Sequence, residues 1–154
     1  MAVYYLDTSA LVKRYAHEQG SAWTLAMTDP KQGHDLYTVR LTAPELVAAL
    51  FRKARTGSIS AADATSAAQL FRLDWRHGYF VLDATGPVTE RAMDLASAHG
   101  VWGYAAVHLA AALTMQDRRI AMDLSPITFI SADDDQRGVA SIEGLLVENP
   151  NAYP

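Results

Sequence analysis

Short apolar runs alternate with helix-forming segments along almost the whole chain, and this alternation limits the possible folds more than any other feature. The apolar runs read "VYYL", "HDLYTV", "YFVLDA", "ITFISA" and "LLVENP" in chain order. Strands that alternate with helices form a mainly parallel sheet whose two faces are both covered. We therefore expect a three-layer α/β/α sandwich with a mainly parallel central sheet of four to five strands.

The segments between the apolar runs carry signals for where helices begin and end. Thr42 is predicted to cap the helix "TAPELVAALFRKARTG", which stops at Gly57, and the next long helix is predicted to run from Ser60 to Gly78. The segment "SALVKRYAHEQ" is also predicted to be helical. No linker, internal repeat or low-complexity stretch interrupts the pattern, so we expect a single domain over residues 1–154.

Composition excludes several classes of protein. The chain has no cysteine, which rules out a disulfide framework, a thiolate zinc site and a cysteine nucleophile. Its formal net charge of −4 argues against a protein that coats nucleic acid with a broad basic surface. No apolar stretch approaches the ~20 residues that cross a bilayer, and the first residues lack the charge order of a secretory signal. We expect a cytoplasmic protein that does not enter a membrane.

Three carboxylates stand at positions that the predicted fold brings together. Asp7 and Asp133 each follow a predicted strand, and Glu45 lies in the first turn of a predicted helix. Taken singly, each has an ordinary interpretation as a helix cap, a turn residue or a first-turn acid. Ligands collect beyond the carboxyl ends of parallel strands, however, and an all-oxygen ligand set suits Mg²⁺ or Mn²⁺. The three acids therefore predict a cation site at that edge of the sheet.

Four segments together resemble a PIN domain, most closely the VapC-type toxin ribonucleases of toxin–antitoxin pairs. They are "YLDTSALVKRY", "LTAPELVAALFRKARTGSIS", "GYAAVHLAAAL" and "FISADDDQRGVASIEGLLVENP", and they follow in order over nearly the whole chain. The resemblance implies a PIN-like fold and an enzyme that hydrolyses RNA phosphodiesters with a water activated by Mg²⁺ or Mn²⁺. It also implies an RNA substrate, a small antitoxin partner and a homodimer.

Transferred by position, the family's metal-binding acids fall on Asp7, Glu45 and Asp133. The small hydroxyl residues beside the first and last acids fall on Ser9 and Ser131, which would orient carboxylates or metal-bound waters. Asp134 and Asp135 would be outer ligands or, more simply, solvated turn residues.

One position departs from the family pattern. Where the family reads Gly-Tyr-Asp-Ala-Val-His, this chain reads "GYAAVH", so that Ala105 occupies the place of a metal-binding Asp. A methyl group cannot bind a cation, and none of residues 104–113 is acidic. The site is then either naturally weakened or has been silenced by replacement of an Asp. On either interpretation we expect this chain to be a feeble or inactive nuclease.

Several other residues have both a functional and an ordinary interpretation. His108 either faces the acids or packs in the core as a hydrogen-bonded residue, and Trp102 either stacks an RNA base or anchors a loop. Lys13, Arg14 and Arg40 are candidates to bind RNA phosphates, or else are solvated surface charges.

Rival functions are poorly supported by the motifs. A haloacid-dehalogenase phosphatase needs an acid where Ser9 stands, a receiver domain lacks its late lysine, and no phosphate-binding P-loop is present. The alternative that stays open is a catalytically degenerate PIN fold that binds RNA or an antitoxin. The antitoxin is expected in a groove beside the first helices, for which the candidate apolar residues are Leu11, Val12, Tyr15, Trp23, Leu50 and Phe51.

Overall fold

Five short strands form one parallel sheet in the computed structural model, which describes residues 1–154. The strands are β1 (Val3–Leu6), β2 (Asp35–Val39), β3 (Phe80–Leu82), β4 (Thr128–Ile130) and β5 (Leu146–Glu148). They lie in the order β3-β2-β1-β4-β5, and every neighbouring pair is parallel. The predicted fold class is confirmed, and the sheet is wholly parallel.

Seven α-helices cover the sheet. They are α1 (Thr8–Leu11), α2 (Ser21–Met27), α3 (Thr42–Arg55), α4 (Ala61–His77), α5 (Gly86–His99), α6 (Gly103–Ala121) and α7 (Asp134–Ile142). None of them is both long enough and apolar enough to span a bilayer.

Alternating strand residues divide the core into two halves, one on each face of the sheet. Tyr5 and Phe129 point towards the half that contains the apolar residues of α5, α6 and α7. Leu6 and Ile130 point towards the half formed with α1, α2, α3 and α4. Because neighbouring residues of a strand face opposite sides, two buried halves require the nearly continuous apolar strands seen in the sequence. The result is the predicted three-layer sandwich.

Helix capping follows the sequence at one predicted start and departs from it at another. Ser60 caps α4 in a reciprocal capping box with Asp63, as its position predicts. The predicted cap at Thr42 is wrong, because Thr42 is the first residue of α3 and Leu41 precedes it without a side-chain cap bond. The Thr42 hydroxyl is buried and instead pairs with the Thr38 hydroxyl at 2.6 Å.

The helix predicted from "SALVKRYAHEQ" is shorter than expected. Helix α1 ends at Leu11 and continues as a single 3₁₀ turn, Val12–Arg14. The chain turns back at Gly20, whose φ of +83° favours glycine, and a Cβ there would collide with the carbonyl of Pro150. Between the 3₁₀ turn and Gly20, the chain places Glu18 against Lys13.

Glu18 is held between two lysines from different elements. Its carboxylate accepts hydrogen bonds from Lys13 at 2.8 Å and from Lys53 of α3 at 2.5 Å. Partial burial favours the neutral acid and would raise the pKa of Glu18, but the two lysines outweigh burial and lower this pKa below its usual 4.5. The ion pairs therefore stabilise the fold above that pH and lose their contribution as the pH falls through the lowered pKa.

We expect Glu18→Gln to lower the free energy of unfolding by about 1–2 kcal/mol at pH 7, between the values typical of exposed and buried ion pairs. The deficit should shrink as the pH is lowered below about 4, because the wild-type carboxylate then becomes protonated too. Urea denaturation at a series of pH values measures it. Glu90→Gln is the control, since Glu90 is exposed and has no ion-pair partner. A deficit that stays constant with pH would contradict this assignment.

Candidate functional site

The three predicted acids lie around one cavity at the carboxyl edge of the sheet. Asp7 directly follows β1, Asp133 directly precedes α7, and Glu45 lies in the first turn of α3. All three line a cavity of about 550 Å³. The parallel sheet therefore places residues that are more than 120 positions apart in sequence on the wall of a common cavity.

Asp7 is fixed by neighbours on both of its oxygens. Oδ2 accepts hydrogen bonds from the Ser9 amide at 3.0 Å and from the Ser9 hydroxyl at 2.6 Å, so Asp7 is also the N-cap of α1. Oδ1 accepts a bond from the side-chain amide of Gln136 at 3.2 Å. The carboxylate is buried. Its capping role and its place at the cavity are compatible, because a cap at a strand end points to the same edge.

His108 lies between Asp7 and Glu45. Its Nε2 is 2.7 Å from Glu45 Oε1, and its Nδ1 is 3.6 Å from Asp7 Oδ1 and 3.0 Å from the Tyr5 hydroxyl. Burial by itself disfavours the imidazolium and would lower the pKa of His108. Asp7 and Glu45 outweigh this effect and raise the pKa above its usual value. The two acids therefore favour a positive charge on the ring that lies between them, and both the ordinary and the functional interpretation of His108 apply.

The protonation of Tyr5 fits the same arrangement. Burial, together with the nearby charges of Asp7 and Glu45, raises the pKa of Tyr5 well above its usual value, so its hydroxyl stays neutral. A neutral hydroxyl can accept a hydrogen bond from the Nδ1–H of a charged His108. Thr8 completes this part of the site by donating to Glu45 Oε1 at 3.0 Å.

Ser9 and Ser131 join the ends of β1 and β4. Their hydroxyl oxygens are 3.3 Å apart, and Ser9 also accepts a hydrogen bond from the Ala132 amide at 3.0 Å. The Asp133 amide donates to the Ser131 hydroxyl at 3.0 Å, and the Asp133 carboxylate caps α7 by accepting from the Gln136 amide. The two serines therefore hold the backbone that carries Asp7 and Asp133.

Two residues that line this cavity, Gln136 and Arg52, were not predicted from the sequence. Gln136 is buried, and besides its bond to Asp7 it accepts from the Ser131 hydroxyl at 2.7 Å. Arg52 lines the cavity on the side of α3. A signal existed for each residue: Gln136 is three positions after Asp133 and Arg52 seven positions after Glu45, and both spacings keep two residues on one helical face.

Ala105 lies in the first turn of α6 and is buried. It lines a second cavity of about 410 Å³, which borders the first because Tyr104, Asp133 and Gln136 line both. Its methyl group faces the region where the fourth acid is expected, and it supplies no polar atom there.

Two of the remaining acids point to solvent. Asp134 and Asp135 are exposed, and Asp134 pairs with Arg137 on the surface of α7. They line only the second cavity, which agrees with their interpretation as solvated residues.

The three cations predicted to bind RNA phosphates do not line the cavity of the acids, and their binding to RNA stays a prediction. Lys13 is buried and paired with Glu18. Arg14 is bound to Asp74 and Thr28. Arg40 pairs with Asp83 at 2.5 Å at the end of β2, outside the cavity. Each charge is paired with an acid of the chain, which is five residues away for Lys13 and more than forty residues away for Arg14 and Arg40.

The residues present fit a divalent cation by type but not by number. Carboxylate oxygens are the ligands that Mg²⁺ and Mn²⁺ prefer, and three carboxylates line the cavity. Yet no group of three or more His, Asp or Glu side chains lies close enough together to hold a metal ion. Protein donors already occupy Asp7 and Glu45. An arrangement of this kind would bind a cation weakly.

Comparison with known proteins gives relatives by sequence and by fold. The chain is 35% identical over 121 residues to ribonuclease VapC45 of Mycobacterium tuberculosis (strain CDC 1551 / Oshkosh), a match that covers 76% of this chain and 79% of that protein. No family model matches the chain.

Two solved structures share the fold. One is VapBC2 from Rickettsia felis bound to a DNA fragment from its promoter. The match covers 96% of this chain and 98% of the matched chain, with a TM-score of 0.58 and 13% identity. The other is a toxin–antitoxin complex from Klebsiella pneumoniae. The match covers 96% of this chain and 97% of the matched chain, with a TM-score of 0.59 and 15% identity.

Proposed function

The chain belongs to the VapC family of PIN-domain proteins, and from this premise we propose that it is the ribonuclease toxin of a toxin–antitoxin pair. The observation that carries the proposal is the common cavity lined by Asp7, Glu45 and Asp133. Its substrate would be RNA, its cofactor Mg²⁺ or Mn²⁺, and its place of action the cytoplasm.

In this proposal Asp7, Glu45 and Asp133 would be the ligands of a weakly bound cation, because they line one cavity without forming a compact set, and the cation would supply an activated water. The chain's own residues do the positioning. Ser9 and Gln136 fix the direction of the Asp7 carboxylate, and His108 with Thr8 fixes that of Glu45. Arg52 lines the same cavity without an ion-pair partner, so it would offset the charge of a bound phosphate.

We further propose that this chain is catalytically impaired, because Ala105 removes one acid of the set. Cleavage of a labelled, structured RNA in Mg²⁺ or Mn²⁺ tests both parts. The wild-type chain should cut feebly and Ala105→Asp strongly, and EDTA should stop both. If neither protein cuts, the nuclease proposal fails.

A second function is favoured by one specific observation: the His108 ring lies 3.6 Å from an Asp7 oxygen and 2.7 Å from a Glu45 oxygen. Acids that already have a partner within the chain suit a catalytically silent PIN fold that binds RNA or an antitoxin. Metal titration by calorimetry separates the two functions, since a binding module needs no Mg²⁺ affinity at these acids.

We propose that the partner, an antitoxin, binds beside α3 and α4, where Phe51, one of the six residues predicted for its groove, lies. Six residues were predicted to line the antitoxin groove, and four of them belong to the buried core: Leu11, Val12, Tyr15 and Leu50. For these four the prediction is wrong. An open groove of about 700 Å³ lies instead between α3 and α4.

This α3–α4 groove combines an apolar floor with a basic rim. Phe51, Phe71 and Trp75 contribute to its lining, and Arg55, Arg72 and Arg76 stand there as well. None of these three arginines takes part in an ion pair, whereas six of the chain's thirteen lysines and arginines do. The lining suits an amphipathic antitoxin segment that carries acidic residues.

We expect replacement of both Arg72 and Arg76 by Glu to weaken antitoxin binding about tenfold or more, because the rim would then repel an acidic segment. Calorimetry with the co-purified antitoxin measures it. Arg118→Glu is the matched control, since Arg118 is exposed and unpaired but lines a different cavity. Equal affinities for both variants would place the antitoxin outside this groove.

The homodimer stays a proposal from the family resemblance. Its mass in solution is measurable by light scattering.

A further inference from the structure

Two exposed aromatic side chains flank the start of α6. Trp102, directly before the helix, is 74% exposed, and Tyr104, its second residue, is 50% exposed. The only other aromatic residue among the large exposed hydrophobic side chains is Phe80, which stacks on Tyr37. Trp102 and Tyr104 have no aromatic partner, and neither the indole N–H nor the phenol hydroxyl makes a hydrogen bond within the chain.

These two side chains border the cavity of about 410 Å³ that lies beside the acids; we call this cavity the aromatic slot. Asp133, Asp134, Asp135 and Ile142 also line it. Tyr104 and Asp133 line both the slot and the larger cavity, so a group in the slot lies directly next to the proposed reaction site.

The slot is open and its chemistry is selective. A Cβ added at Gly138, which lines the slot, would meet nothing within 4 Å, so there is space at that place. The three carboxylates repel a phosphate group, which therefore does not belong there. They do accept hydrogen bonds from the N–H edges of nucleobases, while an exposed indole or phenol ring offers a face for stacking.

We propose that the aromatic slot holds one unpaired base of single-stranded or looped RNA, stacked on Trp102 with Tyr104 beside it, next to the phosphate that the acids address. This inference rests on the proposed ribonuclease function and adds a residue that would recognise a base beside the reaction site. Trp102 is then a specificity-determining residue. A paired base is already stacked and its edge is occupied, so duplex RNA does not use the slot.

Binding is tested with a fluorescein-labelled 12-nucleotide oligo(C), whose bases carry amino groups, in EDTA so that cleavage does not interfere. Anisotropy should show affinity about tenfold lower for Trp102→Ala, the order of magnitude of one lost base stack. Trp102→Phe, which keeps a ring, should recover most of it. Ile120→Ala is the matched control, an exposed apolar residue of α6 that lies 18 residues, or about 27 Å, along the helix from Trp102.

Three results would overturn the proposal. The first is equal oligo(C) affinity for Trp102→Ala and the wild-type chain. The second is an equal loss for a 12-base-pair RNA duplex, since a duplex offers no unpaired base. The third is that Trp102→Ala changes the protein from a dimer to a monomer on size exclusion and leaves its RNA affinity unaltered. That result would make the slot an interface between two copies of the chain.

The same variants separate this inference from the nuclease proposal. If Ala105→Asp cuts RNA and adding Trp102→Ala leaves its KM unchanged, the nuclease proposal is supported and the base-binding proposal is wrong. If Ala105→Asp cuts no RNA while Trp102→Ala still weakens oligo(C) binding, the slot is supported as a base-binding site and the nuclease proposal is wrong.

Discussion

Ala105→Asp is expected to raise RNA cleavage by about 100-fold or more. The fourth acid would stand in the first turn of α6, three residues before His108 and beside the cavity shared with Asp133. Loss of a residue that hydrogen-bonds a metal ligand typically lowers metal affinity or activity ~10–100-fold, and loss of a direct ligand has a larger effect. Initial rates on a labelled RNA in Mg²⁺ measure the effect.

Ala105→Asn is the matched control for this gain. Asn has almost the shape of Asp but no negative charge, so it should leave the activity close to that of the wild-type chain. Equal cleavage by all three proteins would show that the site tolerates Ala105 and that the ligand assignment at this position is wrong. Circular dichroism checks that each variant is folded, because an added acid also increases repulsion within the metal-free site.

His108→Ala is expected to lower the free energy of unfolding by about 3–5 kcal/mol, the range for removing one partner of a buried charge pair. The imidazole ring is fully buried and lies 2.7 Å from Glu45 and 3.6 Å from Asp7, two acids that raise its pKa and favour its charged form. Without it, two carboxylates would face each other with no cation between them, and the Tyr5 hydroxyl would lose its partner. Urea denaturation at pH 7 measures the loss.

Combining His108→Ala with Glu45→Gln distinguishes charge from packing. If the loss arises from unneutralised acids, the double variant should be more stable than His108→Ala alone, because Glu45→Gln removes one of the two charges. If the loss arises from the cavity left by the imidazole ring, adding Glu45→Gln should not increase the free energy of unfolding. The electrostatic role proposed for His108 would then be contradicted.

Much of the fold was accessible from the sequence, because its signals are local. The five apolar runs correspond to β1–β5, and Ser60 starts α4 with the capping box its spacing allows. The errors came where tertiary contacts override a local preference. Thr42 is a residue type that often caps a helix, but its hydroxyl bonds Thr38 in the core. Helix α1 ends early, at Leu11, where a 3₁₀ turn follows.

The candidate site likewise has features that the sequence predicts and features that depend on tertiary contacts. The positions of Asp7, Glu45 and Asp133 could be predicted because parallel strands place their carboxyl ends at one edge, whatever the details of packing. The role of Lys13 could not, since only the folded chain brings Glu18 and Lys53 to it. A charged residue in a sequence does not reveal its partner.

The sequence by itself determined the alternating α/β order and the acids at the carboxyl edge. Each depends on the type and order of residues along the chain. Only the tertiary structure decided that His108 lies between Asp7 and Glu45, and that Gln136 bonds Asp7 across 129 positions. The physical reason is that hydrogen bonding and charge neutralisation depend on distances of about 3 Å between side chains. Those distances arise from the packing of separate elements, which periodicity along the chain does not specify.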